Sequence, residues 1–228
     1  MCLNDVEIKT ENLKQIQQDI KKHSPHPKKV NIIAVTKTLS TKTVLNTINN
    51  NLFIIGENKV QETINKIKNI KNVRLQVHLI GHLQTNKTKK AVNLYDVIQT
   101  ADSEKIINKI NYFANKINKK QKILIQINIT NNNNQHGIHP SKTIELINKT
   151  KKLKNIKLIG LMAIGPNTSN KTEIKKYYKK TQKIQKEIQQ KHKNIKELSI
   201  GMSKDYIIAL QHGATMIRLG TILFGPRE

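Results

Sequence analysis

Residues 198–221, LSIGMSKDYIIALQHGATMIRLGT, contain two short apolar runs separated by a polar-apolar segment. The first run ends at Gly201. Ser203 then reads as the N-cap of a short helix that Gly213 ends. The second run, 215–219, stops at Gly220-Thr221. A strand, a helical crossover and a second strand in this order imply parallel pairing.

The same unit recurs toward the N-terminus. Apolar, β-rich runs occur at 30–36, 52–56, 73–80, 95–99, 122–130, 156–164, 196–201 and 215–219, with segments of helical period between them. The clearest such segment is 170–191, with Ile174, Tyr177, Tyr178, Ile184 and Ile188 on one face; 103–118 is similar. Ahead of the first strand, Asn4 to His23 carries Val6, Leu13, Ile16 and Ile20 at helical spacing until SPHP (24–27) breaks it. Eight β/α units after a leading helix predict an α/β protein with a single (β/α)8 TIM barrel spanning 1–228. A doubly wound open sheet is the alternative. No linker divides the chain, and NITNNNNQHG (128–137) reads as a βα loop.

The formal net charge of +26 suggests a nucleic-acid or membrane-surface protein. Other features oppose this. Only three of the 41 basic residues are arginine (Arg74, Arg218, Arg227), and aromatics are 4%. Arginine forks and aromatic platforms are what grip phosphates and bases. Lysine, asparagine and isoleucine share A/T-rich codons, so compositional bias accounts for the surface. The expectation is no specific nucleic-acid partner and only weak, salt-sensitive binding. Cys2 is the sole cysteine, which leaves no disulfide framework. No secretory signal and no apolar window of membrane-spanning length is present, so a cytoplasmic protein is expected.

In a barrel, chemistry collects at the C-terminal ends of the strands. Lys37 ends the first strand, Gly56-Glu57-Asn58 the second, and HLIGHLQTNK (78–87) the third; Ser203 follows the seventh, and Gly220-Thr221 the eighth. The last two loops suit a phosphate, with backbone N–H groups, a hydroxyl and a glycine permitting close approach. Ordinary helix capping is the simpler reading of either loop alone. A lysine facing such a cradle suits pyridoxal 5′-phosphate, whose aldehyde forms a Schiff base with an amine. Arg218 lies just before the phosphate loop, within reach of the pyridine nitrogen. A cation there disfavours protonation of that nitrogen and weakens the ring as an electron sink.

At these residues the sequence resembles the YggS/PROSC group of pyridoxal phosphate homeostasis proteins. AVTKTLS (34–40), IGENKVQE (55–62), HLIGHLQTNK (78–87), LIGLMAIGP (158–166) and LSIGMSKDYIIALQHGATMIRLGTILFG (198–225) match that group's motifs in order, covering the chain from Val30 onward. The resemblance implies a barrel like the N-terminal domain of alanine racemase. It implies Lys37 as the Schiff-base lysine, Ser203, Gly220 and Thr221 on the phosphate, and Arg218 facing the pyridine nitrogen. Asn58, His82 and Met202 are implied to lie near the cofactor. No metal is expected, because His78 and His82 lack a third ligand in either motif. Two departures stand out. Lys59 replaces a usual aromatic, and Gln135-His136 stands where many bacterial members carry a lysine.

The implied function is non-enzymatic: binding pyridoxal phosphate, limiting its free level and supplying it to other enzymes by transient contacts, as a monomer. The alternative is an amino-acid racemase. Racemases of this fold draw an opposing tyrosine from a second β-domain, and this sequence stops at Glu228.

Overall fold

The computed structural model describes residues 4–71, 74–130, 132 and 134–226. Cys2, Arg227 and Val73, where the third apolar run begins, lie outside the described residues. Eight strands are present: β1 (Asn31–Val35), β2 (Ile54–Glu57), β3 (Gln76–Leu79), β4 (Val97–Ala101), β5 (Gln121–Ile127), β6 (Ile156–Ala163), β7 (Glu197–Ser199) and β8 (Met216–Leu219). Each pairs in parallel with its sequence neighbours, and β1 pairs with β8 from Asn31↔Met216 to Ala34↔Leu219, so the sheet closes into a barrel in strand order. All eight expected strands are found, and the open-sheet alternative is not.

Nine helices accompany them among the described residues: α1 (Thr10–His23), α2 (Thr41–Asn49), α3 (Val60–Ile67), α4 (Thr88–Leu94), α5 (Glu104–Lys116), α6 (Thr143–Lys151), α7 (Lys171–Lys191), α8 (Tyr206–Gln211) and α9 (Thr221–Phe224). Alternation along each strand separates two cores. Ile33, Val97, Leu124, Met162 and Met216 point inward and fill the barrel. Ala34, Ile55, Leu79, Ile98, Ile123 and Leu161 point outward and belong to the larger core shared with the helices. Each fully buried isoleucine contributes about 1.5–3 kcal/mol relative to exposure.

Two expectations are corrected. The leading helix starts at Thr10, not Asn4. The preceding residues are not helical: Val6 N–H donates to Thr43 Oγ1 (2.9 Å) and Ile8 N–H to Asn46 Oδ1 (2.8 Å), anchoring this segment on α2. Nor is Ser203 a helix N-cap: α8 begins at Tyr206 with Asp205 before it. The Ser203 hydroxyl is engaged elsewhere, with a consequence for the site.

Candidate functional site

Strand parity decides which rim side chains converge. Ile33 and Val35 face inward, so Thr36 faces the surrounding helices and Lys37 turns back over the barrel mouth. There, a cavity of about 500 Å³ is lined by Lys37, Asn58, Met202, Ser203, Arg218, Gly220 and Thr221. Seven of the eight residues singled out from the sequence thus share one cavity, of a volume suited to a small cofactor (roughly 300–1,000 Å³).

The β2 side of the mouth depends on close packing. A side chain at Gly81 would place its Cβ 2.5 Å from Asn58 O, so the loop after β3 can lie against Asn58 only with glycine there. Behind Lys37, outside the barrel wall, Lys66 and Glu57 are fully buried. Lys66 Nζ donates to Glu57 Oε1 (2.7 Å), Glu62 Oε1 (3.0 Å) and Thr36 O (2.7 Å). Thr36 Oγ1 also donates to Glu57 Oε1 (2.6 Å). Burial raises Glu57 above the usual carboxylate range, and Lys66 only partly opposes it. Burial also acts to raise Glu62, but the Thr38 N–H and the Lys66 ammonium outweigh it and hold Glu62 below that range.

On the other side of β1, after β7 and β8, Ser203 Oγ accepts the N–H groups of Gly220 (3.3 Å) and Ile222 (3.2 Å). Two backbone donors therefore converge on one oxygen-sized position at the cavity edge. The turn that carries Ser203 is held by Asp205. Its Oδ1 accepts Met202 N–H (2.6 Å) and its Oδ2 accepts the Tyr178 hydroxyl (2.6 Å). Met202 itself is 40% exposed at the mouth.

Arg218 is buried and oriented from below. Its NH1 donates to Ser199 O (2.8 Å) and Ser199 Oγ (2.7 Å), and its NH2 donates to Ala163 O (2.9 Å). Ser199 Oγ donates to Gln99 Oε1 (2.7 Å), and Gln99 Nε2 meets His78 Nδ1 at 2.9 Å. An amide nitrogen can only donate, so His78 Nδ1 accepts and its proton sits on Nε2. Burial, assisted by Lys122, pushes His78 down to about 3, which keeps this ring neutral. Burial likewise lowers Arg218, opposed by Tyr178 and Asp205.

His82 is the exception among the expected residues. It lines a neighbouring cavity with Asp102 and Ser103, not the one holding Lys37. Its ring stacks on His136 (3.7 Å between centroids, 9° between planes), and its Nδ1 lies 3.7 Å from Asp102 Oδ2. These three side chains bring possible ligand atoms within 4.8 Å of one another. The parallel rings keep their in-plane lone pairs from converging on one ion. Gln135, at the departure noted above, ties its loop to β6 by donating to Ile164 O (3.1 Å). Lys59 is exposed, so it adds no packing where an aromatic is usual.

An amine after β1, converging backbone donors after β7 and β8, and a buried cation on β8, all lining one cavity, fit a phosphorylated aromatic aldehyde. The barrel with this rim places the chain in the class of alanine-racemase-like cofactor barrels. Residues 8–228 match the family model described as alanine racemase, N-terminal domain. A relative from Aquifex aeolicus, named pyridoxal phosphate homeostasis protein, is 32% identical over 99% of this chain and 100% of its own. The structure of PipY from Synechococcus elongatus with PLP bound superposes with a TM-score of 0.84, at 29% identity, covering 94% of this chain and 99% of that one. Alanine racemase of Clostridium difficile shares the fold (TM-score 0.77, 16% identity), with 97% of this chain matching 58% of that one. The chain belongs to the alanine racemase N-terminal domain family and, within it, to the pyridoxal phosphate homeostasis proteins.

Sequence reasoning assigned no role to Glu57, Glu62, Lys66, Gln99 or Ser199. Two signals were available. Lys66 follows Val60 and Thr63 at helical spacing on the apolar face of α3, and Gln99 and Ser199 are polar residues directly after the apolar Ile98 and Leu198 in strand runs.

Proposed function

We propose that this chain, as one cofactor-binding domain across 1–228, binds pyridoxal 5′-phosphate and serves its homeostasis: it holds the cofactor, limits its free level and supports its supply to other enzymes. The observation carrying this reading is the convergence of Lys37, Ser203, Gly220, Thr221 and Arg218 on one cavity, in a chain 29% identical to a protein solved with PLP bound. The cofactor supplies an aldehyde for covalent attachment. Lys37 is the residue that bonds to it. Ser203, Gly220 and Thr221 hold the phosphate, while Asn58 and Met202 border the ring. Arg218, fixed by Ser199 and Ala163, faces the pyridine nitrogen and opposes its protonation.

The same arrangement supports a carrier without catalysis. A ring kept unprotonated is a weak electron sink, and among the described residues no tyrosine lines the cavity to act as an opposing base. No helix of the described residues is long and apolar enough to cross a membrane. We place the protein in the cytoplasm as a monomer, meeting recipient enzymes transiently and no specific nucleic acid.

The test is borohydride reduction of the protein incubated with pyridoxal phosphate, then peptide mass mapping. A dominant adduct on Lys37 is expected, and Lys37→Ala should lose it while keeping the far-UV circular dichroism of the parent. Adduct spread evenly over surface lysines would overturn the reading. Ser203→Ala should weaken cofactor retention by about 1–3 kcal/mol, the range of a charge-assisted hydrogen bond. Sustained racemisation of an amino acid by the loaded protein would instead favour the enzyme.

A further inference from the structure

The ionic cluster behind the barrel wall grips the backbone on both sides of Lys37, although Glu57, Glu62 and Lys66 do not line the cavity. On one side, Lys66 Nζ donates to Thr36 O at 2.7 Å. On the other, Glu62 Oε1 accepts Thr38 N–H at 2.6 Å. Lys66 also donates to that same Glu62 oxygen at 3.0 Å. The carbonyl before Lys37 and the amide after it are thus joined through one ammonium and one carboxylate. Glu57 Oε1 completes the cluster by accepting both Lys66 Nζ (2.7 Å) and Thr36 Oγ1 (2.6 Å).

The backbone here needs such a hold. Thr38 has φ +64°, in the left-handed region. That conformation costs an L-residue roughly 1–2 kcal/mol, and it persists where the surroundings over-determine it. A buried ion pair is also a poor source of net stability, because desolvating both partners offsets most of their attraction. Bonds that end on the main-chain groups flanking one residue instead fix that residue's direction.

We infer that Lys66, Glu62 and Glu57 are positioning residues for Lys37: the clamp holds the turn 36–38 so that the Lys37 amine projects into the cavity. This rests on the cofactor reading above. Joining Lys37 Nζ to the aldehyde carbon expels the carbonyl oxygen as water, and it requires a neutral amine placed at the carbonyl. The clamp presents one such amine among the chain's 38 lysines. Misplacing a reacting atom by about 1 Å can cost up to roughly a hundredfold in rate.

The experiment compares Glu62→Ala with Glu62→Gln in the full chain. Glutamine keeps a side-chain oxygen for the Thr38 N–H, whereas alanine removes it. Two quantities are read. One is the rate of adduct formation on Lys37 with pyridoxal phosphate, normalised to adduct on exposed lysines of the same sample. The other is amide hydrogen exchange of 36–40 without cofactor. Glu62→Ala should slow Lys37 loading at least roughly tenfold, with exposed lysines unchanged, and should lose protection at Thr38. Glu62→Gln should stay within about twofold of the parent on both. Glu62→Ala matching the parent in loading and exchange would overturn the clamp alone. Absence of a Lys37 adduct in the unmodified chain would overturn the cofactor reading, and the positioning role with it.

Discussion

The cluster of Glu57, Glu62 and Lys66 is compact, ionic and outside the barrel wall, whereas the chain from His78 through Gln99 and Ser199 to Arg218 runs through the barrel interior with a charge at one end only. The first ends on main-chain atoms around Lys37, and the second ends on the guanidinium of Arg218. The difference follows from what each must fix. A strained turn has to be held against its own backbone preference, and short charge-assisted bonds do this. A guanidinium needs only orientation, and neutral donors and acceptors in series provide it without burying a second charge. The interior chain has one direction. Arg218 donates to Ser199, Ser199 to Gln99, and Gln99 to His78.

The contrast can be broken most forcefully at Lys66. Lys66→Met leaves the Glu57 carboxylate buried beside no cation, and urea unfolding should show a loss of about 3–5 kcal/mol. A loss under about 1 kcal/mol would mean that Glu57 is neutral in the folded protein and that the cluster is less ionic than described. Next in size is Gln99→Leu, of similar volume but with no polar atoms. It strips Ser199 Oγ of its acceptor and His78 Nδ1 of its donor, and should cost about 1–3 kcal/mol while loosening Arg218. Cofactor retention in this variant should fall below the parent's under conditions of matched stability if orientation of Arg218 is the chain's purpose.

The effect that grows only gradually, with acidity, is a pH dependence carried by His78. In the unfolded chain this ring takes up a proton near 6.5, in the folded protein only at about 3. Between those values the unfolded state holds the extra proton, so this group's contribution falls as the pH falls, by up to about 1.4 kcal/mol per pH unit. His78→Asn keeps an acceptor for Gln99 and removes the titration. Its stability between pH 6 and pH 4 should therefore decline less steeply than the parent's, measured by urea unfolding at each pH. Parallel profiles would assign the acid sensitivity to other groups.

The strands were legible because buried parallel strands read as short apolar runs between helical segments, and all eight runs became barrel strands. The cavity was legible for a related reason: polar residues at strand ends in a closed barrel share one rim. What escaped were contacts decided in three dimensions. Whether Ser203 caps its own helix or turns to Gly220 and Ile222 depends on two loops meeting 17 residues apart in sequence. His82 follows β3 as expected, yet it packs on His136 from the loop after β5 and leaves the shared cavity. Lys66 reads as one more lysine in a lysine-rich chain until Thr36 O and Glu57 are placed beside it.

The pairing of β1 with β8 joins Asn31 to Met216 and Ala34 to Leu219. On the ribosome, where synthesis runs from the N-terminus, the first strand therefore waits with an open edge until residues 216–219 have emerged. Ser203, Gly220 and Thr221 belong to that same final stretch. A nascent chain thus carries Lys37 early and acquires the proposed anion cradle only at ring closure. Tight capture of pyridoxal phosphate would then report that translation has passed Thr221 and that the ring is shut.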